Sequence, residues 1–176
     1  MNPPEISYRE QSKRIRIPRW MAPLFWVVGI SVVHGGMPWA LSLLTSRHGW
    51  TEGRPGILNL LASILVMVGS ACLIWVLVLH FIRAPEGWEM ERTPKYLLRS
   101  GPYSLTRNPM YLAALVLWLG WALFYGSFAV LIGFLVLGVV FNFIVVPWED
   151  RNLEARFGES YLRYKSSVHR WFGKKS

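Results

Sequence analysis

The fold is decided by residues 108–148, which read NPMYLAALVLWLGWALFYGSFAVLIGFLVLGVVFNFIVVPW and contain no Asp, Glu, Lys or Arg. As one continuous helix this stretch would be about 60 Å long, roughly twice the thickness of the hydrocarbon core of a bilayer. It must therefore fold back on itself. Tyr125-Gly126-Ser127 predicts the turn, because a glycine there stands between two polar side chains. We therefore expect two antiparallel membrane helices, over about 109–125 and 127–147.

Two further stretches, residues 20–46 and 55–82, are also free of charged side chains. Each is long enough for one membrane span, since about 20 apolar residues cross the hydrocarbon core. They predict spans at about 20–44 and 57–81. The fold class that follows is all-α, an integral membrane bundle of about four transmembrane helices. A cytoplasmic arm, residues 1–19, precedes a single membrane domain, residues 20–176.

Composition excludes several other classes of protein. Apolar residue types make up 53% of the 176 residues and charged types 16%, against about 25% charged in an ordinary soluble domain. This apolar content excludes a disordered chain, and the single cysteine, Cys72, excludes a disulfide framework. The net charge of +9 would suit a nucleic-acid-binding domain. Such a domain has no need of three uncharged stretches, so we expect no nucleic-acid partner.

The basic residues predict the orientation in the membrane. Of the 19 Lys and Arg residues, only Arg47 and Arg54 lie in the loop between the first two stretches. The other 17 lie in the N-terminal arm, in residues 83–107 and after Glu149. Because basic residues accumulate on the cytoplasmic side, both termini and residues 83–107 are expected there. We expect a multi-pass protein of a bacterial inner membrane, in contact with its lipids.

The first cluster of polar residues stands where the third apolar stretch begins. Asn108 is a favoured helix N-cap residue, and Pro109 suits the first helical position. A helix that begins here presents free backbone N–H groups, which attract anions, and Arg107 adds positive charge beside them. Taken alone, these residues indicate a helix start with an interfacial arginine.

The second cluster follows the fourth apolar stretch and begins at Glu149-Asp150. Further along, Leu153, Phe157, Tyr161, Tyr164 and Val168 recur at helical spacing. They predict an amphipathic helix over about 149–168 that lies at the membrane interface. Because 109–125 and 127–147 are antiparallel, both polar clusters return to the same membrane face.

Together the clusters suit a zwitterionic ligand that also carries a cation. A ligand carboxylate would bind the helix end or Arg107, while Glu149 or Asp150 would accept bonds from hydroxyls or an amine. The rings of Tyr103 and Tyr111 would face a positive centre. S-adenosylmethionine has an amino-acid group, a ribose diol and a sulfonium, and matches these requirements.

The last 80 residues resemble the isoprenylcysteine carboxyl methyltransferases and the related phospholipid methyltransferases. The family pattern appears here as Gly101-Pro102-Tyr103, then Arg107-Asn108-Pro109-Met110-Tyr111, a hairpin, and Glu149 through Phe157-Gly158 to Tyr161 and Tyr164. Three positions depart from it: Asn108 replaces a histidine, Asp150 replaces a glutamate, and Val145 replaces the arginine that faces the substrate carboxylate in members acting on prenylcysteine.

The resemblance implies a cytoplasm-facing pocket that binds S-adenosylmethionine as cofactor. It assigns no catalytic residue. The residues it implies for cofactor binding are Lys95, Leu97, Leu98, Tyr103, Arg107, Asn108, Pro109, Met110, Tyr111, Glu149 and Asp150.

The function expected is therefore an integral membrane methyltransferase. It would transfer a methyl group to a lipophilic or small acceptor, either a carboxyl, a thiol or an amine, at the cytoplasmic membrane face. The alternatives are a small four-span transporter and a non-catalytic scaffold or sensor. The four histidines and one cysteine have no metal-ligand spacing, so no metal is expected. The oligomeric state stays open.

Several polar or unusual residues inside the apolar stretches are assigned structural roles instead. His34 and His80 are expected to be neutral structural histidines, and Asn142 to make an interhelical hydrogen bond. Pro38 and Pro147 are expected to kink or end their helices.

Overall fold

In the computed structural model, residues 21–83 and 96–174 are described, and almost all of their regular structure is helical. The prediction of a mostly helical protein is confirmed. The N-terminal arm and Lys95 lie outside the described residues. The elements in chain order are α1 (Met21–Ser31), α2 (Met37–Ser42), β1 (Trp50–Thr51), β2 (Arg54–Pro55), α3 (Ile57–Arg83), α4 (Pro109–Tyr125), α5 (Phe128–Val140), α6 (Val146–Phe157) and α7 (Glu159–Ser167).

Helices α3 and α4 pack antiparallel, and two glycines set how closely they approach. A Cβ atom added at Gly69 of α3 would lie 2.6 Å from the backbone nitrogen of Leu117 in α4. A Cβ at Gly120 of α4 would lie 2.7 Å from the backbone nitrogen of Val66 in α3. Small residues of this kind let helix backbones pack closely in membranes, where van der Waals contact drives association. Helix α4 is thereby held in the middle of the bundle.

The hairpin between α4 and α5 turns at the predicted position. Gly126 has a φ of +57°, a left-handed conformation that ends α4. The hydroxyl of Ser127 then accepts a hydrogen bond from the backbone N–H of Val130 and so caps α5. Helix α4 has the bounds expected from the sequence, because proline and glycine act locally at its two ends.

Both intrahelical prolines follow a π-helical turn instead of ending a helix. The turn Val32–Gly36 precedes Pro38, and the turn Phe141–Val145 precedes Pro147. In each, the residue before the proline donates its N–H to a carbonyl five residues earlier. The π-helical turn shifts the hydrogen-bonding pattern by one residue, so the helix continues although the proline has no N–H to donate. The expected helix boundary at residues 147–149 is therefore wrong, because one helix runs from Phe128 to Phe157.

Two of the described helices, Ile57–His80 and Phe128–Phe157, are long and apolar enough to cross a membrane. The other apolar helices, Val27–Ser42 and Pro109–Tyr125, are shorter. Exposed apolar side chains cover the outward faces of α3 and α5, as lipid-facing helices require. The count of four spans therefore stays a prediction.

The C-terminal amphipathic helix is broken in two, which the sequence analysis did not predict. Gly158, with a φ of +49°, ends α6 and begins α7. The apolar stripe faces protein rather than lipid: Tyr161, Tyr164 and Val168 are buried together. Leu97, Tyr103, Leu153 and Phe157 pack against them. Helix α7 therefore closes one end of the bundle.

Candidate functional site

A pocket that opens to solvent lies where α3 ends, α4 begins and α6 passes. Every residue that the resemblance implied for cofactor binding lines it, except Lys95, which lies outside the described residues. Those lining residues are Leu97, Leu98, Tyr103, Arg107, Asn108, Pro109, Met110, Tyr111, Glu149 and Asp150. His80, Tyr96, Leu153, Tyr161 and Tyr164 complete the lining.

On one side of the pocket, Arg107 and Asp150 form a buried ion pair. Arg107 Nη1 donates to Asp150 Oδ1 at 2.9 Å, and the two side chains are 7% and 9% exposed. The Tyr161 hydroxyl donates to the same carboxylate oxygen. Arg170 Nη2 lies 3.6 Å from the other carboxylate oxygen of Asp150. The ion pair joins the loop before α4 to α6. Because each charge lies beside its counter-charge, the two charges largely neutralise each other.

One buried polar atom of this pair has no protein partner. Among the described residues, Arg107 Nε makes no hydrogen bond. A buried donor left unpaired costs about 1–3 kcal/mol. Since Arg107 lines the pocket, a bound acceptor atom would remove this cost.

Opposite the ion pair, Tyr111 and Glu149 connect α4 to α6. The Tyr111 hydroxyl donates to Glu149 Oε2 at 2.9 Å. The Tyr111 ring also packs on Phe141 of the second π-helical turn, with ring centroids 4.8 Å apart. Among the described lining residues, Glu149 carries the one charge that no opposite charge balances. The pocket therefore has a net negative charge of one in its described part.

Asn108 takes the N-cap position of α4 without capping it with its side chain. Its amide nitrogen instead donates to the carbonyl of Arg170 at 3.0 Å, and its backbone N–H donates to Thr106 Oγ1. The position of the helix start agrees with the sequence analysis, but the expected side-chain cap is wrong. The side-chain amide of Asn108 bonds instead to a segment distant in the sequence, and rules for local helix capping do not consider such a contact.

That distant segment is residues 168–174, which we call the C-terminal clasp. Its backbone bonds to the loop before α4: Arg107 N–H donates to the His169 carbonyl, and Gly173 N–H donates to the Leu105 carbonyl. The Thr106 hydroxyl donates to the Arg170 carbonyl at 2.9 Å. The clasp thus fixes the loop that carries Arg107 and Asn108.

The clasp also reaches the second π-helical turn. Trp171 Nε1 donates to Asn142 Oδ1 at 3.1 Å, and Arg170 approaches the Asn142 carbonyl at 3.5 Å. Asn142 therefore makes a tertiary hydrogen bond, as expected, but its partner is the clasp rather than another membrane helix. The loop before α4 and the helix that carries Glu149 are held by the same seven residues.

His80 is a pocket residue that sequence reasoning missed. Its Nε2 lies 2.7 Å from the Tyr103 hydroxyl, and its ring packs edge-on against that of Tyr103. The Tyr96 hydroxyl donates to the His80 carbonyl. The signal was its position at the end of an apolar span, near the motif that contains Tyr103. By contrast, His34 accepts a hydrogen bond from Trp118 Nε1 within the bundle, which fits a structural role.

The pocket's tyrosines outside the membrane helices keep their protons at neutral pH. Burial, followed by the nearby Glu149 carboxylate, raises the pKa of Tyr103 well above its ordinary value. Burial also raises the pKa of Tyr164 and of Tyr161, and for Tyr161 the hydrogen bond to Asp150 adds to the effect. These hydroxyls therefore act as hydrogen-bond donors rather than as anions.

The polar pocket lies at one end of a helical bundle in which two of the described helices are long and apolar enough to cross a membrane, the arrangement of a helical membrane protein. The sequence model of the phospholipid methyltransferase family matches residues 58–160, and the chain belongs to that family. A segment of 62 residues is 37% identical to an uncharacterized protein of Haemophilus influenzae, over 35% of this chain and 98% of that protein. No solved structure matches the chain.

Proposed function

We propose that the protein is an S-adenosylmethionine-dependent membrane methyltransferase that acts on a lipophilic or small acceptor at the cytoplasmic membrane face. Family membership supports methyl transfer in general. The observation that carries the proposal is the meeting of the Arg107–Asp150 pair and the Tyr111–Glu149 pair in one pocket. The two halves of the motif are separated by the hairpin, and only the fold brings them together.

The residues present fit the cofactor in chemistry and charge. Apolar and aromatic side chains make up most of the pocket lining, and a few polar groups complete it, as in small-molecule sites generally. S-adenosylmethionine carries a carboxylate, an ammonium and a sulfonium, so its net charge is +1. This charge complements the unbalanced Glu149 carboxylate, and the unpartnered Arg107 Nε suits the cofactor's carboxylate.

Each group in the pocket has a separate task under this proposal. Glu149, oriented by Tyr111, would accept hydrogen bonds from the amine or the ribose of the cofactor. Leu97 and Leu98 would exclude water. When bound, the cofactor supplies a methyl group on a sulfonium, which is an activated leaving group. The chain's main contribution is then to position the two reactants and keep the site dry.

The orientation proposed for the chain follows from the split of its basic residues. With both termini in the cytoplasm, the pocket opens where the cofactor is available, and an apolar acceptor enters from the bilayer. Cysteine labelling from each side of the membrane, in a Cys72→Ser background, tests this arrangement. Ser104→Cys should react only from the cytoplasmic side and Glu52→Cys only from the opposite side. The reverse pattern would overturn it.

The central experiment is cofactor binding by the purified protein, followed by methyl transfer. Isothermal titration with S-adenosylmethionine in detergent should give saturable binding, and labelled methyl should pass to a component of a membrane extract. Binding without any transfer would favour a cofactor sensor. Absence of binding by folded protein would refute the proposed function.

A further inference from the structure

We propose that His80 and Tyr103 form a proton relay that takes the proton from a thiol or amine acceptor during methyl transfer. This inference rests on the proposed function and deepens it. The relay consists of Nε2 of His80 and the hydroxyl of Tyr103, which lie 2.7 Å apart in the wall of the pocket. Proton transfer requires heavy atoms within about 2.6–3.2 Å, and this pair meets the requirement.

The charges in the pocket favour an acceptor that carries a proton to lose. The guanidinium of Arg107 already pairs with Asp150, and Val145 provides no cation one helical turn before Glu149. With Glu149 balanced by the cofactor, a carboxylate acceptor would add an uncompensated charge to a buried site, which is costly. A neutral thiol avoids this cost, and an ammonium group avoids it once its proton has left. Each becomes a good nucleophile only when it loses that proton.

The surroundings of the pair set the direction of proton flow. The titratable side chains that face it from the packed elements are Tyr96, Tyr111, Glu149 and Tyr164. Burial and the Glu149 carboxylate raise the pKa of Tyr103 and so disfavour a tyrosinate, which means that the hydroxyl keeps a proton to pass on. The relay requires the His80 tautomer with its proton on Nδ1, in which Nε2 accepts from the Tyr103 hydroxyl.

The step balances as follows. The S–H or N–H bond of the acceptor breaks and its proton goes to Tyr103 Oη, while the Tyr103 hydroxyl proton passes to His80 Nε2. The freed lone pair of the acceptor forms a bond to the methyl carbon. The methyl–sulfonium bond breaks, and its electron pair stays on the cofactor's sulfur. The products are a methylated acceptor, S-adenosylhomocysteine and a protonated His80.

His80 acts through Tyr103 and is a positioning residue in this scheme, while Tyr103 touches the acceptor. Among the described lining residues, His80 is the only imidazole, and it reaches the pocket from α3 rather than from the start of α4.

The test uses His80→Gln and Tyr103→Phe in the full chain, with His48→Gln as a matched control. His48 is exposed, at the opposite end of the bundle. The probes are ethanethiol, phosphatidylethanolamine in vesicles, and farnesylcysteine, whose carboxylate has no proton to lose. Cofactor affinity should be unchanged in His48→Gln; it is measured in each relay variant, and transfer is compared at saturating cofactor. Transfer to ethanethiol and to the amine lipid at neutral pH should fall about 100-fold or more in the two relay variants.

The pH profile separates a relay from a structural hydrogen bond. In His80→Gln, transfer to ethanethiol should rise about tenfold per pH unit as free thiolate accumulates, while wild type should rise less steeply. Residual transfer to farnesylcysteine should not change. Normal transfer by His80→Gln with an unaltered pH profile would overturn the relay. So would a wild type that binds the cofactor but methylates only the carboxylate.

A second measurement needs no cofactor or acceptor. Nitrogen NMR of histidine-labelled protein should show His80 Nε2 unprotonated at neutral pH, with a resonance that shifts in Tyr103→Phe. A protonated Nε2 would overturn the relay, because it could not accept the proton. If wild type failed to bind S-adenosylmethionine, the proposed function would fall and the relay with it, whereas binding and transfer by wild type confine any failure to the relay.

Discussion

The Tyr111 hydroxyl donates a 2.9 Å hydrogen bond to Glu149 Oε2, which links residues 38 positions apart in the sequence. The bond fixes one carboxylate oxygen of Glu149 and leaves the other for a ligand. Through this bond the first turn of α4 contacts α6 at the pocket. Because the hairpin brings these two helices together, it determines the position of the Glu149 carboxylate.

The first prediction concerns this carboxylate. Glu149→Gln keeps the shape of the side chain and removes its charge. Loss of a charged hydrogen bond to the cofactor should cost about 1.5–3 kcal/mol, roughly tenfold to 150-fold in affinity. Isothermal titration measures the change. Glu154→Gln is the control on the same helix, because Glu154 pairs with Lys165 outside the pocket. Equal affinities for wild type and Glu149→Gln would remove Glu149 from the site.

The second prediction concerns the buried ion pair. Asp150→Asn leaves the Arg107 guanidinium buried without a full counter-charge, so the free energy of unfolding should fall by about 3–5 kcal/mol. Denaturant unfolding in detergent measures the loss. Lys165→Gln breaks a partly exposed ion pair and should cost no more than about 1 kcal/mol. Similar losses in the two variants would mean that the pair does not stabilise the fold.

The third prediction concerns the contact between α3 and α4. Gly69→Ala places a methyl group against the backbone of Leu117 and should destabilise the protein by about 1–3 kcal/mol. Gly138→Ala is the control, because the nearest atom to its added Cβ lies 3.9 Å away. Thermal unfolding of both variants checks the difference, and a Gly69→Ala protein as stable as wild type would refute the close approach.

The fourth prediction concerns the C-terminal clasp. Removing residues 168–176 deletes every bond from this segment to Leu105, Thr106, Arg107 and Asn108. We expect the truncated chain to bind S-adenosylmethionine at least about tenfold more weakly, because the loop that carries Arg107 is no longer fixed. Trp171→Phe removes one bond and should cost about 1 kcal/mol of stability. Phe172→Ala, an exposed position, should have little effect.

The fifth prediction concerns the acceptor. Farnesylcysteine should be a poor substrate, because Val145 offers its carboxylate no bidentate partner and an unpaired buried charge is costly. A methyl-transfer assay compares it with small thiols and amine-headed lipids. Val145→Arg should increase transfer to farnesylcysteine, whereas Val145→Gln should not. Efficient turnover of farnesylcysteine by wild type would contradict the prediction.

Elements with local signals were predictable from the sequence. Helix α4 begins at Pro109 and ends before Gly126, as expected. A proline at the first helical position and a left-handed glycine at the C-terminus each determine a helix end through residues within one turn. The pocket residues on either side of the hairpin were also found, since the motif contains them. Their assignment to the cofactor stays a prediction.

The features that the sequence analysis missed are of two kinds: contacts between residues distant in the sequence, and local changes within a helix. Nothing near Asn108 predicts that its side-chain amide bonds to the clasp. For His80, the position at the end of an apolar span was a signal for the pocket, but it did not specify the hydrogen bond to Tyr103. The break at Gly158 interrupts a stripe whose spacing is helical throughout, so periodicity alone predicted one helix. Pro147 was expected to bend or end its helix, whereas the π-helical turn before it allows the helix to continue.

That π-helical turn has a consequence for how relatives of this chain should be compared. A turn from Phe141 to Val145 holds one residue more than the regular helix needs. Since each residue advances a helix by about 100°, removing one residue there would rotate Glu149 and Asp150 by that angle about the axis. Both carboxylates would then turn away from Tyr111 and Arg107. The number of residues between the hairpin and the acidic pair therefore determines whether a relative keeps this pocket, independently of whether it keeps the acids themselves.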